Sequence, residues 1–188
     1  MANICWNSMK IIGDKKRLME LKDSLDKCLE NGICSFRKVA EVLKVEIPDE
    51  VYCRGEISYV DEVVDNILTM QTETAWSPIY EYWDIVTEKL ELKYVSLSEE
   101  CGVGVYVIHN DPEGWYFPEN YVIDIWEVYQ DLSSDYYYFE TEKEICEFMQ
   151  ESVPEQEFKS FEDIRTYFDD VDFGAAHQYV RDLSLIHI

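Results

Sequence analysis

Apolar and polar side chains alternate from Ile4 to Ile12. Ile4, Trp6 and Ser8 fall on one face, Cys5, Asn7 and Met9 on the other, and Ile11-Ile12 extend the apolar content. This period of two predicts a strand, ended by Gly13-Asp14. From about Lys15 to Glu30 the period changes. Leu18, Leu21, Leu25, Cys28 and Leu29 recur at helical spacing with charges between them, which predicts an amphipathic helix stopped at Asn31-Gly32. Ser35 is a candidate cap for a second helix over residues 36–44 that buries Phe36, Val39, Ala40 and Leu43. Ile47-Pro48-Asp49 closes that pattern. Val51 to Tyr59 suits a short strand around Tyr52 and Ile57, and Asp61 to Val64 reads as one helical turn.

Alternation returns over Asn66 to Glu73, with Leu68 and Met70 against Thr69 and Gln71, as in a strand with one buried face. It runs into Thr74-Ala75-Trp76-Ser77-Pro78. Ser77 suits a helix N-cap and Pro78 the first helical position, where its missing N–H costs nothing. Trp76 is expected to pack in the core, as is Trp83. Ile79, Tyr82, Trp83 and Val86 form the stripe of the next helix. Leu90, Leu92 and Tyr94 begin a strand to about Ser98, and Glu99-Glu100-Cys101-Gly102 is expected to turn the chain. Val103, Val105 and Val107 predict another strand, Asn110 to Gly114 a turn, and Tyr121, Ile123 and Ile125 a third strand of a meander. Further on, residues 135–139 fit an edge strand. Thr141-x-x-Glu144 and Ser160-x-x-Asp163 are capping-box signatures opening two helices. Residues 173–183 fit a last helix, and the tail, residues 183–188, is expected to carry no function.

Charge changes this picture more than composition does. The 188 residues are 47% hydrophobic, enough for a core, and carry a net charge of −24 from 40 acids and 16 Lys/Arg. Residues 1–54 are nearly balanced, with ten Lys/Arg against nine acids; residues 55–188 hold six against thirty-one. Such a field repels nucleic acid and anionic membranes and attracts basic surfaces. Direct nucleic-acid binding is therefore not expected, because phosphates are neutralised by clustered Lys/Arg. No apolar run approaches the roughly 18 residues of a membrane span. The first residues lack the basic and apolar regions of a signal peptide, so the six cysteines are expected to be reduced thiols in a cytosol.

Candidate chemistry is sparse. Glu99 and Glu100 beside Gly102 suit acid–base work, but a solvated turn explains them as well. Asp169-Asp170-x-Asp172 lacks the Gly and distal Glu of a calcium loop. Cys101 and His109 lie at opposite ends of an extended run, roughly 26 Å apart, too far for a nucleophile pair. No metal site, cofactor or catalytic residue is predicted. Two groups remain as partner-binding candidates. One is the acidic set Asp124, Glu127, Asp131, Asp135, Glu140, Glu142, Glu144, Glu147, Glu151, Asp169, Asp170 and Asp172. The other is the aromatic pair Trp115 and Tyr116, next to Phe117 after a turn.

Three segments carry a family resemblance. Residues 1–7 (Met-Ala-Asn-Ile-Cys-Trp-Asn) with Ile11-Ile12-Gly13, the element Thr74-Ala75-Trp76-Ser77-Pro78, and Gly102-Val103-Gly104 entering a strand resemble the YubB-type ferredoxin-like domain family of plasmids, phages and other mobile elements. The likeness covers about residues 1–127; Ile79 departs from it where a second Pro is expected. It implies an α+β, ferredoxin-like split β-α-β sheet with helices packed on one face, with a helical insertion at about 35–65. Residues 128–188 would then be an acidic, mostly helical extension. It implies no iron–sulfur cluster, and the cysteine spacing would not support one.

Charge and resemblance together predict a non-enzymatic protein of the bacterial cytoplasm. Its partner would be a basic protein surface, such as a host nuclease or CRISPR effector. Its acidic face would imitate the phosphates of a duplex, an anti-CRISPR or anti-restriction role. The alternatives are a protein-binding module using the aromatic patch, and an enzyme acting on a nucleotide-type substrate.

Overall fold

In a computed structural model, residues 3–30, 34–100, 105–125, 135–170 and 179–182 are described. They form a mixed α+β protein with five helices and a six-stranded antiparallel sheet. The chain divides into two compact units, residues 1–112 and 113–188.

The first unit runs β1 (Ile4–Ile12), α1 (Lys15–Glu30), β2 (Cys34–Ser35), α2 (Phe36–Leu43), β3 (Gly55–Val64), β4 (Ile67–Ala75), α3 (Tyr80–Lys89), β5 (Lys93–Glu100) and β6 (Val105–His109). The strand order is β2-β3-β4-β1-β5-β6. β1 pairs antiparallel with both β4 and β5. β1 and β3 are thus parallel with β4 between them, and β4 and β5 are parallel with β1 between them. Register places Met9 beside Met70 and Ser96, and Ile11 beside Leu68 and Tyr94. This apolar half of one sheet face meets Leu18, Leu21 and Leu25 of α1 and Tyr82, Trp83 and Val86 of α3 in one core. Burying a side chain of this size is worth about 1.5–3 kcal/mol, so the helical stripes hold these helices against the sheet.

Several local readings are corrected. β3 continues through Asp61–Val64, where a helical turn was expected. Its irregular register against β4 breaks the alternation that would reveal it. Asp65 and Asn66 both have positive φ, 46° and 64°, as a two-residue type I′ hairpin requires. Glu99 and Glu100 belong to β5 instead of a turn, and Glu100 is buried. Ser77 does not cap α3. The N-cap is Ile79, without a side-chain bond, and the Ser77 carbonyl accepts from Thr74 Oγ1 at 2.8 Å. Trp76 is not core: it is 46% exposed, at φ 72°, a left-handed conformation rare for a bulky side chain.

The second unit holds β7 (Tyr121–Ile125), β8 (Asp135–Phe139), α4 (Glu142–Ser152), α5 (Phe161–Asp170) and β9 (Tyr179–Asp182). β7 leaves the expected meander and pairs with β8 and β9 in a separate three-stranded sheet, order β8-β7-β9. The unit is therefore more than helical, and residues 179–182 are strand where a helix was expected. Ile123, Ile145, Met149, Val153, Phe158, Phe161 and Ile164 form its core.

Candidate functional site: the acidic surface

Helical spacing sets the acidic surface. In α4, Ile145, Cys146 and Met149 are buried, and in α5 Phe161 and Ile164. The intervening helical acids Glu142, Glu144, Glu147, Glu151, Glu162 and Asp163 are thereby turned outward, and Glu140, Glu155 and Glu157, in the segments flanking the helices, are exposed as well. Residues 113–188 hold nineteen acids against four Lys/Arg.

The exposed acids have different work. Thr141 caps α4 in a capping box: its side chain accepts from the Glu144 N–H, and Glu144 Oε2 accepts from the Thr141 N–H at 3.3 Å and the Glu140 N–H at 3.0 Å. Asp163 does the same for α5, accepting from the Lys159 and Ser160 N–H groups at 2.9 and 3.0 Å. Those N–H bonds hold its carboxyl below the usual range, since they favour the charged form. Glu142 Oε1 accepts from the Phe161 N–H at 2.8 Å and ties the two helix starts together. Glu147 pairs with Lys143 at 3.2 Å, Glu157 with Lys159 at 3.1 Å and Glu162 with Arg165 at 3.6 Å.

Glu140, Glu151 and Glu155 remain. Their carboxylates make no ion pair or hydrogen bond among the described residues. Local structure also opposes part of this charge. Glu147 and Glu151 are an i,i+4 like-charge pair, worth about 0.2–0.5 kcal/mol of destabilisation. α5 ends on Asp169-Asp170 with no basic residue in its last turn, against the helix dipole.

Not every predicted residue is gathered here. Asp124 and Asp135 lie on the paired strands β7 and β8. Glu127, Asp131 and Asp172 lie outside the described residues, as does Cys101. Trp115 follows Gly114, whose φ of 65° shapes the turn, and is 79% exposed. Tyr116 is half-buried and Phe117 buried, so the aromatic patch narrows to one ring. The edge strand β8 adds Tyr136 and Tyr138, exposed and stacked with centroids 6.2 Å apart, which the sequence reading passed over. Their i,i+2 spacing was the available signal.

No family model, curated protein or solved structure matches the chain. Among the described residues no group of three or more His, Cys, Asp or Glu is placed to hold a metal ion, and no helix is long and apolar enough to cross a membrane. His109 lies flat on Tyr80, with centroids 3.9 Å apart. Cys146 sits against the α4–α5 core, and burial with the nearby Glu142 and Asp163 pushes its thiol up, away from nucleophilic use.

Proposed function

We propose that this is a non-enzymatic interaction protein whose acidic second unit occupies the basic groove of a nucleic-acid-binding protein. The observation that carries the reading is that the exposed carboxylates of Glu140, Glu151 and Glu155, on and beside α4, have no ion-pair or hydrogen-bond partner among the described residues, in a unit with nineteen acids and four Lys/Arg. Carboxylates fixed on a rigid surface meet the lysines and arginines that neutralise phosphates in a groove, without the ordering cost of a flexible tail. The family resemblance supports a mobile-element setting, and hence a host defence protein such as a CRISPR effector or restriction enzyme as the target. We further read the first unit as ferredoxin-like. The interleaved order β3-β4-β1-β5, with α1 leaving β1 and α3 leaving β4, supports that reading.

Capture from a bacterial host lysate tests it. The chain should retain basic, nucleic-acid-binding proteins at roughly 0.1 M salt and release them near 1 M, where the screening length falls from about 10 Å to about 3 Å. Replacing Glu140, Glu151 and Glu155 by Lys should abolish capture at low salt with little loss of stability. Capture indifferent to both salt and these substitutions would sink the reading.

The 79% exposure of Trp115 favours a second reading, a protein-binding module without mimicry. Under it, Trp115→Ala would abolish a salt-insensitive capture that the glutamate substitutions leave intact.

A further inference from the structure

The helices of the first unit pack on the sheet face that carries Met9, Ile11, Leu68 and Met70. On the opposite face the start of β1 is turned to solvent: Ile4 is 45% and Trp6 54% exposed. β1 is not an edge strand. It lies between β4 and β5, so the Trp6 indole stands in the open middle of a sheet, on a face that is ordinarily polar when solvated. The ring makes no ring contact, and its N–H no hydrogen bond, among the described residues.

Register sets carboxylates beside this ring. Trp6 pairs with Glu73 on β4 and with Glu99 on β5, and Glu73 pairs with Glu56 on β3. One row across the face therefore reads Glu56, Glu73, Trp6, Glu99. Residues directly opposite in antiparallel strands have Cβ atoms about 4.5–5.5 Å apart, so Glu73 and Glu99 bracket the indole. The Glu73 carboxylate has no ion-pair or hydrogen-bond partner among the described residues. Lys10 is four residues from Trp6 along β1, roughly 13 Å by strand rise. Arg37 and Arg54 border Glu56 and Glu73 without pairing to either carboxylate.

We propose that Trp6 receives an arginine side chain from a protein partner docked on this face. A guanidinium is planar and stacks on an indole, where the ring quadrupole attracts a cation, while its N–H groups point outward in its own plane. Carboxylates on both sides of the ring are placed to accept them. A lysine ammonium brings the charge without the planar stack. Single-stranded nucleic acid also stacks on exposed aromatic side chains of a sheet, but its phosphates would lie against Glu56, Glu73 and Glu99. A second copy of the chain is opposed by the net charge of −24. This surface shares with the acidic surface of the second unit a preference for basic partners, and no residue.

Nuclear magnetic resonance on the nitrogen-labelled full chain tests this, with the peptide Ac-Gly-Ser-Arg-Ser-Gly-amide, its lysine and citrulline counterparts and oligothymidine as probes. Salt of roughly 0.3 M brings the screening length below about 8 Å and weakens loose attraction to the second unit. Trp6→Phe identifies the Trp6 indole signal by its loss. The arginine peptide should shift that signal and the Glu73 and Glu99 amides saturably. The lysine peptide should bind about threefold weaker. Citrulline, which keeps the shape and loses the charge, and oligothymidine should leave the signal in place. Trp6→Ala should cost about fivefold in affinity, the loss of a cation–π contact, read at the Glu73 and Glu99 amides. Glu73→Gln should cost about threefold, read at the indole. Trp6→Phe keeps an aromatic face and should fall between the parent and Trp6→Ala, so a poorly folded alanine variant still leaves two readouts. No saturable shift at the indole, equal binding of the citrulline peptide, or unchanged affinity in both the Trp6 and the Glu73 variants overturns the proposal. Equal binding of the lysine peptide overturns the choice of a guanidinium, and a shift by oligothymidine the choice of a protein partner. The Glu140, Glu151 and Glu155 to Lys variant should keep the indole shift; its loss there would mean that the peptide binds the second unit instead. The Trp6 variants should leave low-salt capture by the second unit unchanged, so the two proposals fail separately.

Discussion

His109 is held between rings. It stacks on Tyr80 at 3.9 Å and meets Tyr94 at 5.5 Å, and Tyr94 Oη donates to Asp84 Oδ1 at 3.0 Å. Burial lowers the His109 pKa, and the Asp84 charge opposes this only in part. The sign follows from proton counts. Below the unfolded value of about 6.5 the unfolded chain takes up a proton that the folded chain resists, so the stabilising contribution is present above that pH and is lost as pH falls through the folded value. Stability measured by urea unfolding should therefore fall from pH 7.5 to 5.5 more steeply in the parent than in His109→Gln. Parallel slopes would show that the ring stack does not hold His109 neutral. At this scale, part of the candidate site was legible. The capping boxes at Thr141 and Ser160 stand in the sequence because each is closed within four residues. That Glu144 and Asp163 are thereby engaged, while the carboxylates of Glu140 and Glu151 have no partner among the described residues, depends on geometry that residue type does not encode.

Elements close on one another at Gly55. A Cβ built there would lie 2.7 Å from Phe36 Cε2, 2.9 Å from Thr74 Cγ2 and 3.0 Å from the Glu73 carbonyl oxygen, so β3 and β4 approach α2 only because the side chain is missing. Phe36 is itself stacked on Tyr82, with centroids 4.6 Å apart, and has no room to give. Gly55→Ala should lower stability by about 1–3 kcal/mol, the usual cost of overpacking, read as a lower urea midpoint at constant m-value. A neutral substitution would mean that the β3 start is not locked against α2. The helices were the most legible elements, since α1, α2 and α4 each show their stripe within a few turns. β3, β9 and the start of α3 were not. β3 is irregular in register, β9 pairs with a β7 far from it along the chain, and α3 begins only at Tyr80, with Ile79 in the N-cap position that Ser77 was expected to hold.

Charge acts on the whole molecule. A net charge of −24 opposes compactness through self-repulsion, and the acids between residues 140 and 163 are exposed, where salt screens them. Melting temperature should rise as sodium chloride is raised from roughly 0.01 M to 0.3 M, as the screening length contracts from about 30 Å to below 8 Å. The Glu140, Glu151 and Glu155 to Lys variant should respond less steeply. A melting temperature that falls or stays flat with salt would mean the acids are compensated within the fold, and would remove the ground for a charge-seeking surface.

The sequence alone determined the amphipathic helices, the caps at Ser35, Thr141 and Ser160, and the segregation of acid toward the C-terminal end. All of these depend on residue type and on neighbours three or four positions away. Tertiary structure decided the strand order, the separation of β7 into a second sheet and the exposure of Trp76. Those outcomes depend on strand pairing and packing between segments distant in the chain, where each residue's environment is set by others that its local pattern does not name.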